Sequence, residues 1–309
     1  MAKRRKVKKS FKLTICAILV FGLAVGAMIT LNNLNKPAKK IEYGKVTEFD
    51  ANADYGKIKD PDSSENITSG AKLKYYVFDL GKGYGIFIDC GDTEVLIDAG
   101  YKKDGSKIAK KIKPYVKEEL DYVISTNTNS NRIGGLPEIL KQFRVQNVIY
   151  SAKDNTKGSS DLKKAAEKTN YIKGEDKLIT LGENANLSII APDPKAATPS
   201  EKSLSTIFTY GETKISETGD LPEKFANHLS DELSESNVII AANNGELSSN
   251  KLIELITPTY YVIPTNNKLS KKMTEWAEEY ARNVYTTKKN KDVVFWTNGS
   301  EISSNHDET

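Results

Sequence analysis

The sequence predicts an α/β fold, a four-layer αβ/βα sandwich of two sheets with helices outside, preceded by one N-terminal transmembrane helix. Two observations predict the sandwich and a third predicts the membrane helix. Short runs rich in Val, Ile, Tyr and Phe, bounded by Gly, Asn and Asp, recur through residues 71–300, which is how strands and their turns read. Helical segments alternate with those strands, and such a pattern buries its apolar surface by packing helices on the outer faces of sheets. Ahead of both, Leu13–Leu31 runs for nineteen residues without a charge, close to the ~20 that a bilayer-spanning helix needs.

The elements follow in order. Residues 1–12 hold seven Lys and Arg and no acid, so the formal charge of +4 leaves the remainder near −3. By the positive-inside rule the basic segment is cytoplasmic, 13–31 is a signal anchor in the cell membrane, and the rest is extracellular. The competing reading is a signal peptide cleaved after Val25-Gly-Ala27. Residues 32–70 are polar and aperiodic, a linker. The domain, 71–300, opens with strands at Lys74–Asp79, Ile86–Cys90 and Glu94–Asp98, then a helix over 104–117 and a strand at Asp121–Ser125. Pro137 opens a helix to Phe143, and Val148–Tyr150 is the next strand. The second half has a helix at 163–168 and strands at 177–181, 186–190, 205–210, 213–216, 238–242 and 260–263. Helices lie at 221–233, 252–256 and 273–281, a hairpin over 284–296 closes the domain, and 301–309 is a polar tail.

Between strand and helix lies Ser125-Thr-Asn-Thr-Asn-Ser-Asn-Arg-Ile-Gly-Gly-Leu136. With Phe78-Asp-Leu-Gly-Lys-Gly-Tyr84, Leu96-Ile-Asp-Ala-Gly100, Glu217-Thr-Gly-Asp220 and Val238-Ile-Ile-Ala-Ala-Asn-Asn-Gly-Glu246, in that order, it resembles the metallo-β-lactamase fold. Within that fold the chain resembles the C-terminal hydrolase domain of ComEC-type competence proteins. The resemblance covers about residues 72–300. It implies a dinuclear site, usually zinc, whose ligand loop reads H-x-H-x-D-H-x-G-G.

Here those ligand positions hold Asn127, Asn129, Asn131 and Arg132, while the frame Gly134-Gly135 is kept. Asn243 and Asn244 stand where the resemblance puts a later histidine pair, and Asp220 matches the bridging carboxylate. Zinc prefers imidazole, thiolate and carboxylate, and an amide oxygen is a poor substitute. Only His228 and His306 are present in the whole chain, and neither matches a ligand position. No zinc, other cofactor or catalytic residue is therefore expected. Arg132 reads either as a surface cation or as a charge standing in for the metals, paired with Asp220 or Asp98. Asp98 is expected to brace the neighbouring loop. Tyr84 replaces the acid that ends the first motif, and Ser203 and Ser205 lack a histidine base.

The resulting expectation is a membrane-anchored extracytoplasmic pseudoenzyme, a binding or scaffold module for an extracellular ligand or protein partner. The alternatives are a metal-dependent phosphodiesterase-like or nuclease-like hydrolase with an atypical site, and an accessory factor in DNA uptake. The near-neutral bulk charge of the domain offers no broad basic field for nucleic acid.

Overall fold

Alternation along the strands sorts the apolar side chains into three separate cores. The computed structural model describes residues 73–152, 154–241, 250–264 and 271–307, and the predicted segments 1–12, 13–31 and 32–70 lie outside them. Among the described residues no helix is long and apolar enough to cross a membrane. The strands are β1 Leu73–Val77, β2 Ile86–Asp89, β3 Glu94–Ile97, β4 Leu120–Ser125, β5 Val145–Tyr150, β6 Asn170–Lys173, β7 Lys177–Gly182 and β8 Ala185–Ile190. They continue with β9 Ser205–Tyr210, β10 Thr213–Glu217, β11 Val238–Ile240, β12 Tyr260–Ile263, β13 Asn283–Thr286, β14 Val293–Thr297 and β15 Ile302–Ser304. Among the described residues they form one sheet in the order β15-β14-β1-β2-β3-β4-β5-β6 and another in the order β13-β12-β11-β10-β9-β8-β7.

Tyr75, Ile86, Ile88, Val95 and Ile97 point inward to meet Leu187, Phe208, Ile215 and Val262 between the sheets. Their neighbours Tyr76, Phe87 and Leu96 point outward, onto Ile108 and Ile112 of the helix Gly105–Ile112 and Leu136 and Ile139 of the helix Leu136–Gln142. On the far side Ile207, Ile239, Tyr261 and Ile263 pack against Ile253 and Ile256 of Asn250–Ile256 and Ala277 of Lys271–Tyr280. A side chain that alternates between two buried faces is the period-2 geometry of a strand covered on both sides. The layers are helix, sheet, sheet, helix, as predicted.

Several boundaries move, each for a local reason. The helix predicted over 104–117 ends at Ile112, because Pro114 has no N–H with which to continue the helical hydrogen-bond ladder beyond Lys113. The helix predicted at 163–168 starts earlier, at Lys157, where the Thr156 hydroxyl accepts the Ser159 N–H as an N-cap. The closing hairpin is not one. β13 pairs in parallel with β12 in the second sheet, whereas β14 pairs with β1 in the first. Thr286 caps a helical turn, Thr287–Asn290, so the chain crosses from sheet to sheet instead of reversing.

The tail at 301–309 is also structured. Ile302–Ser304 adds β15 beside β14, and the Asp307 carboxylate accepts the hydroxyls of Tyr260 and Tyr285, each at 2.9 Å. Those tyrosines belong to the second sheet, so the tail ties the two sheets together. The domain therefore extends past residue 300. Asp307→Ala is expected to cost about 1–3 kcal/mol, since it leaves two partly buried hydroxyls without their acceptor. A urea midpoint unchanged from wild type would contradict this.

Candidate functional site

Both sheets change from antiparallel to parallel pairing at an equivalent place. In the first, β14-β1-β2-β3 are antiparallel and β3-β4-β5-β6 parallel. In the second, β7-β8-β9-β10 are antiparallel and β10-β11-β12-β13 parallel. Open α/β sheets place their sites outside the carboxyl ends of their strands. Asp98 follows β3, Thr126–Arg132 follow β4, and Glu217–Asp220 end β10. The sandwich brings these three segments together.

Arg132 occupies the middle. It lies on a single helical turn, Ser130–Ile133, and its side chain is 0% exposed. Nη1 donates to Asp98 Oδ2 at 3.1 Å and to Glu217 Oε1 at 3.0 Å, and Nη2 donates to Asp220 Oδ1. The guanidinium stacks on the Tyr84 ring, 3.6 Å from its centroid. Planar guanidinium with several donors suits this bridging, which a lysine ammonium would not reproduce. Asn127 and Asn129 each donate Nδ2 to Asp220 Oδ2 at 2.9 Å. Asn127 Nδ2 also donates to Ser203 Oγ, and its Oδ1 accepts the Asn129 N–H. Asn129 Nδ2 reaches Ser200 Oγ at 3.2 Å. The Asp220 N–H donates to Ser203 Oγ, which closes the ring.

The supporting frame is tight. Asp98 adopts φ +57°, a left-handed conformation that Asp tolerates better than most residues, and accepts both the N–H and hydroxyl of Thr126. It braces the loop as expected. A Cβ at Gly135 would sit 2.1 Å from the Ala99 carbonyl oxygen, and one at Gly134 would sit 2.5 Å from that of Ser130. The glycine pair is thus a close-approach device that presses the ligand-loop turn onto the segment after β3. Asn131 joins through its backbone, its carbonyl accepting the Tyr84 N–H. Asn243 and Asn244 lie outside the described residues. His228 is exposed on the short helix Asn227–Leu229.

Burial and charge act against each other here. Burial pushes the Glu217 carboxyl up to about 7, against the opposing pull of Arg132, with Asp98 adding repulsion. Asp98 is likewise raised by burial, partly offset by Arg132 and by the Thr126 hydrogen bonds. Burial also acts to raise Asp220, but Arg132 and the two asparagine amides outweigh it and hold that carboxyl below its ordinary range. Arg132 itself is raised because three carboxylates overcome its desolvation, so it stays charged.

The donor set does not fit the dinuclear metal site that the resemblance implies. Each carboxylate that could ligate a cation is bonded to a guanidinium, and both asparagines aim N–H groups at Asp220. A cation placed there would meet a fixed positive charge in low dielectric. Among the described residues no three of His, Cys, Asp and Glu form a group that could hold a metal ion. Of the two readings of Arg132, the structure supports the paired one, and the arginine takes both Asp98 and Asp220. Sequence reasoning gave Glu217 no role of its own, weighed Ser203 only as a nucleophile without a base, and gave Tyr84 no partner. One signal was available: an acid expected at position 84 and a ligand expected at position 132 had both been replaced, and the two replacements stack on each other.

No protein-family model and no curated protein matches the sequence. Among solved structures the chain is similar to the metallo-beta-lactamase fold protein YhfI from Bacillus subtilis, at 12% identity and a TM-score of 0.52. That likeness covers 75% of this chain and 99% of the other. It is also similar to Igni18, a metallo hydrolase from the archaeon Ignicoccus hospitalis, at 12% identity, over 76% and 100% of the two chains, with a TM-score of 0.46. Identities this low concern the fold and leave the chemistry to the site. The paired sheets, the glycine frame and the likeness to YhfI agree that the chain has the metallo-β-lactamase fold, with a buried arginine at its centre.

Proposed function

We propose that this chain is a membrane-anchored, extracytoplasmic metallo-β-lactamase-fold protein without hydrolase chemistry, serving as a binding or scaffold module. One observation carries the reading: the Arg132 guanidinium sits among Asp98, Glu217 and Asp220, where it neutralises carboxylates that would otherwise call for a cation. An active site needs groups left over to bind and activate a substrate or water. Here Asn127, Arg132, Ser203 and Asp220 are 0% exposed and bonded to one another. The amides of Asn127 and Asn129, on sequence grounds available to a sugar, peptide or nucleotide, are turned inward onto Asp220. The centre of the fold is a polar core holding two halves together, and recognition falls to outer surfaces.

The test uses the full chain purified in detergent, loaded with zinc or manganese, desalted and subjected to elemental analysis. Metal far below one ion per chain is expected. Phosphodiester hydrolysis should not exceed that of the Asp220→Asn variant. A tightly held stoichiometric metal, with activity that Asp220→Asn or Asp220→Ala abolishes, would overturn the proposal.

A further inference from the structure

The near-neutral charge of the domain conceals a division between its two helix layers. Residues 102–168, which include the helices over the first sheet, hold fifteen Lys and Arg against eight Asp and Glu. Residues 221–282, which include the helices over the second, hold six against nine. Ile108, Ile112, Leu136, Ile139 and Leu162 turn the apolar sides of the first layer onto the sheet. Its lysines consequently face outward. A groove of ≈ 940 Å³ between these helices collects Lys102, Lys103, Lys141, Lys157 and Lys164. Lys141 and Lys157 have acidic neighbours on their own helices, Glu138 and Asp161. Lys102, Lys103 and Lys164 have no ion-pair partner among the described residues, and like charges are gathered there without internal compensation.

We infer that this lysine-rich outer helix layer is a docking face for an anionic lipid surface, that of the membrane holding the N-terminal segment. The inference rests on the anchored reading of residues 13–31 and adds the face that the domain turns to the bilayer. Three features favour a lipid surface over other polyanions. Among the described residues the cations lining the groove are all lysines, with Glu138 and Asp161 beside them, and an ammonium gives diffuse attraction where a guanidinium gives bidentate phosphate recognition. Among the described residues no aromatic side chain lines it to stack on a base, the device by which single-stranded nucleic acid is held. The first described residue, Leu73, also lies in β1, third of the eight strands of the sheet that this layer covers. Thirty-nine polar residues, 32–70, separate the predicted anchor from β1 in the sequence. Each lysine near an anionic leaflet contributes favourably and additively, within about a Debye length.

The test reconstitutes the full chain in lipid nanodiscs of pure phosphatidylcholine or with added phosphatidylglycerol, and follows lysine acetylation by mass spectrometry. With anionic lipid, Lys102, Lys103, Lys141 and Lys164 should react about fivefold more slowly at low ionic strength. Lys177 and Lys195, exposed on the second sheet's side, should be unchanged, and high salt should abolish the difference. Lys102→Glu, Lys103→Glu and Lys164→Glu combined should leave disc incorporation intact and remove the protection of Lys141. Failure to incorporate into discs overturns the anchored reading and this inference together. Incorporation with equal reactivity in both lipids overturns the docking face alone, as does protection by duplex DNA at physiological salt that exceeds protection by lipid.

Discussion

Arg132→Met is expected to destabilise the folded chain by about 3–5 kcal/mol, the cost of removing one partner from a buried charge network. Methionine fills comparable space against the Tyr84 ring, so the loss is chiefly electrostatic. Asp98, Glu217 and Asp220, all within 1% of full burial, would lose their shared cation. They would respond by taking up protons, so the destabilisation should be greater at pH 8 than at pH 5. Urea unfolding of both proteins at these two pH values measures it. The double variant with Asp220→Asn should recover part of the loss, because the asparagine needs no counter-charge. A loss below about 1 kcal/mol, the range of exposed ion pairs, would show that the cluster does not hold the sheets together.

The second large effect is on the pH dependence of stability. Glu217, fully buried, titrates near 7 in the folded chain against an ordinary glutamate value of 4.5. Between these values the folded protein holds a proton that the unfolded chain has released, so stability falls as pH rises across the interval. The full span amounts to on the order of 3 kcal/mol. Burial of Asp98 acts in the same direction. Asp220, held low by Arg132 and the asparagines, acts oppositely, but only at more acidic pH. Glu94 is also raised to about 7, by burial and by Asp121, and it contributes to every variant alike. The informative quantity is therefore the difference between wild type and Glu217→Gln. The glutamine should flatten the decline from pH 5 to pH 8, and an identical slope in both proteins would remove Glu217 from this role.

Much of the architecture was legible because it depends on short-range signals. The glycines at 134 and 135 sit where the backbone of the segment after β3 approaches too closely for a Cβ, and such positions admit few other residues. The alternation of Tyr75 with Tyr76, and of Phe87 with Ile86 and Ile88, marks strands covered on both faces. The closing hairpin failed because β13 and β14 look like a hairpin locally, whereas β14 is claimed by β1, more than two hundred residues away in sequence. Residues 301–309 read as a tail because nothing near them announces that Asp307 meets two tyrosines of the other sheet.

The candidate site divides in the same way. Side-chain chemistry alone established that Asn127, Asn129, Asn131 and Arg132 make a poor zinc set, since ligand preference belongs to the donor atom and needs no fold to evaluate. It also offered a pairing of the arginine with Asp220 or Asp98, beside the reading of a surface cation. Only the tertiary structure could show that the guanidinium takes both of them together with Glu217, stacks on Tyr84, and is sealed from solvent. Those partners lie 34, 85 and 88 residues from Arg132 in the chain. Their meeting depends on where two sheets change from antiparallel to parallel pairing, a property of strand order that no local stretch of sequence contains.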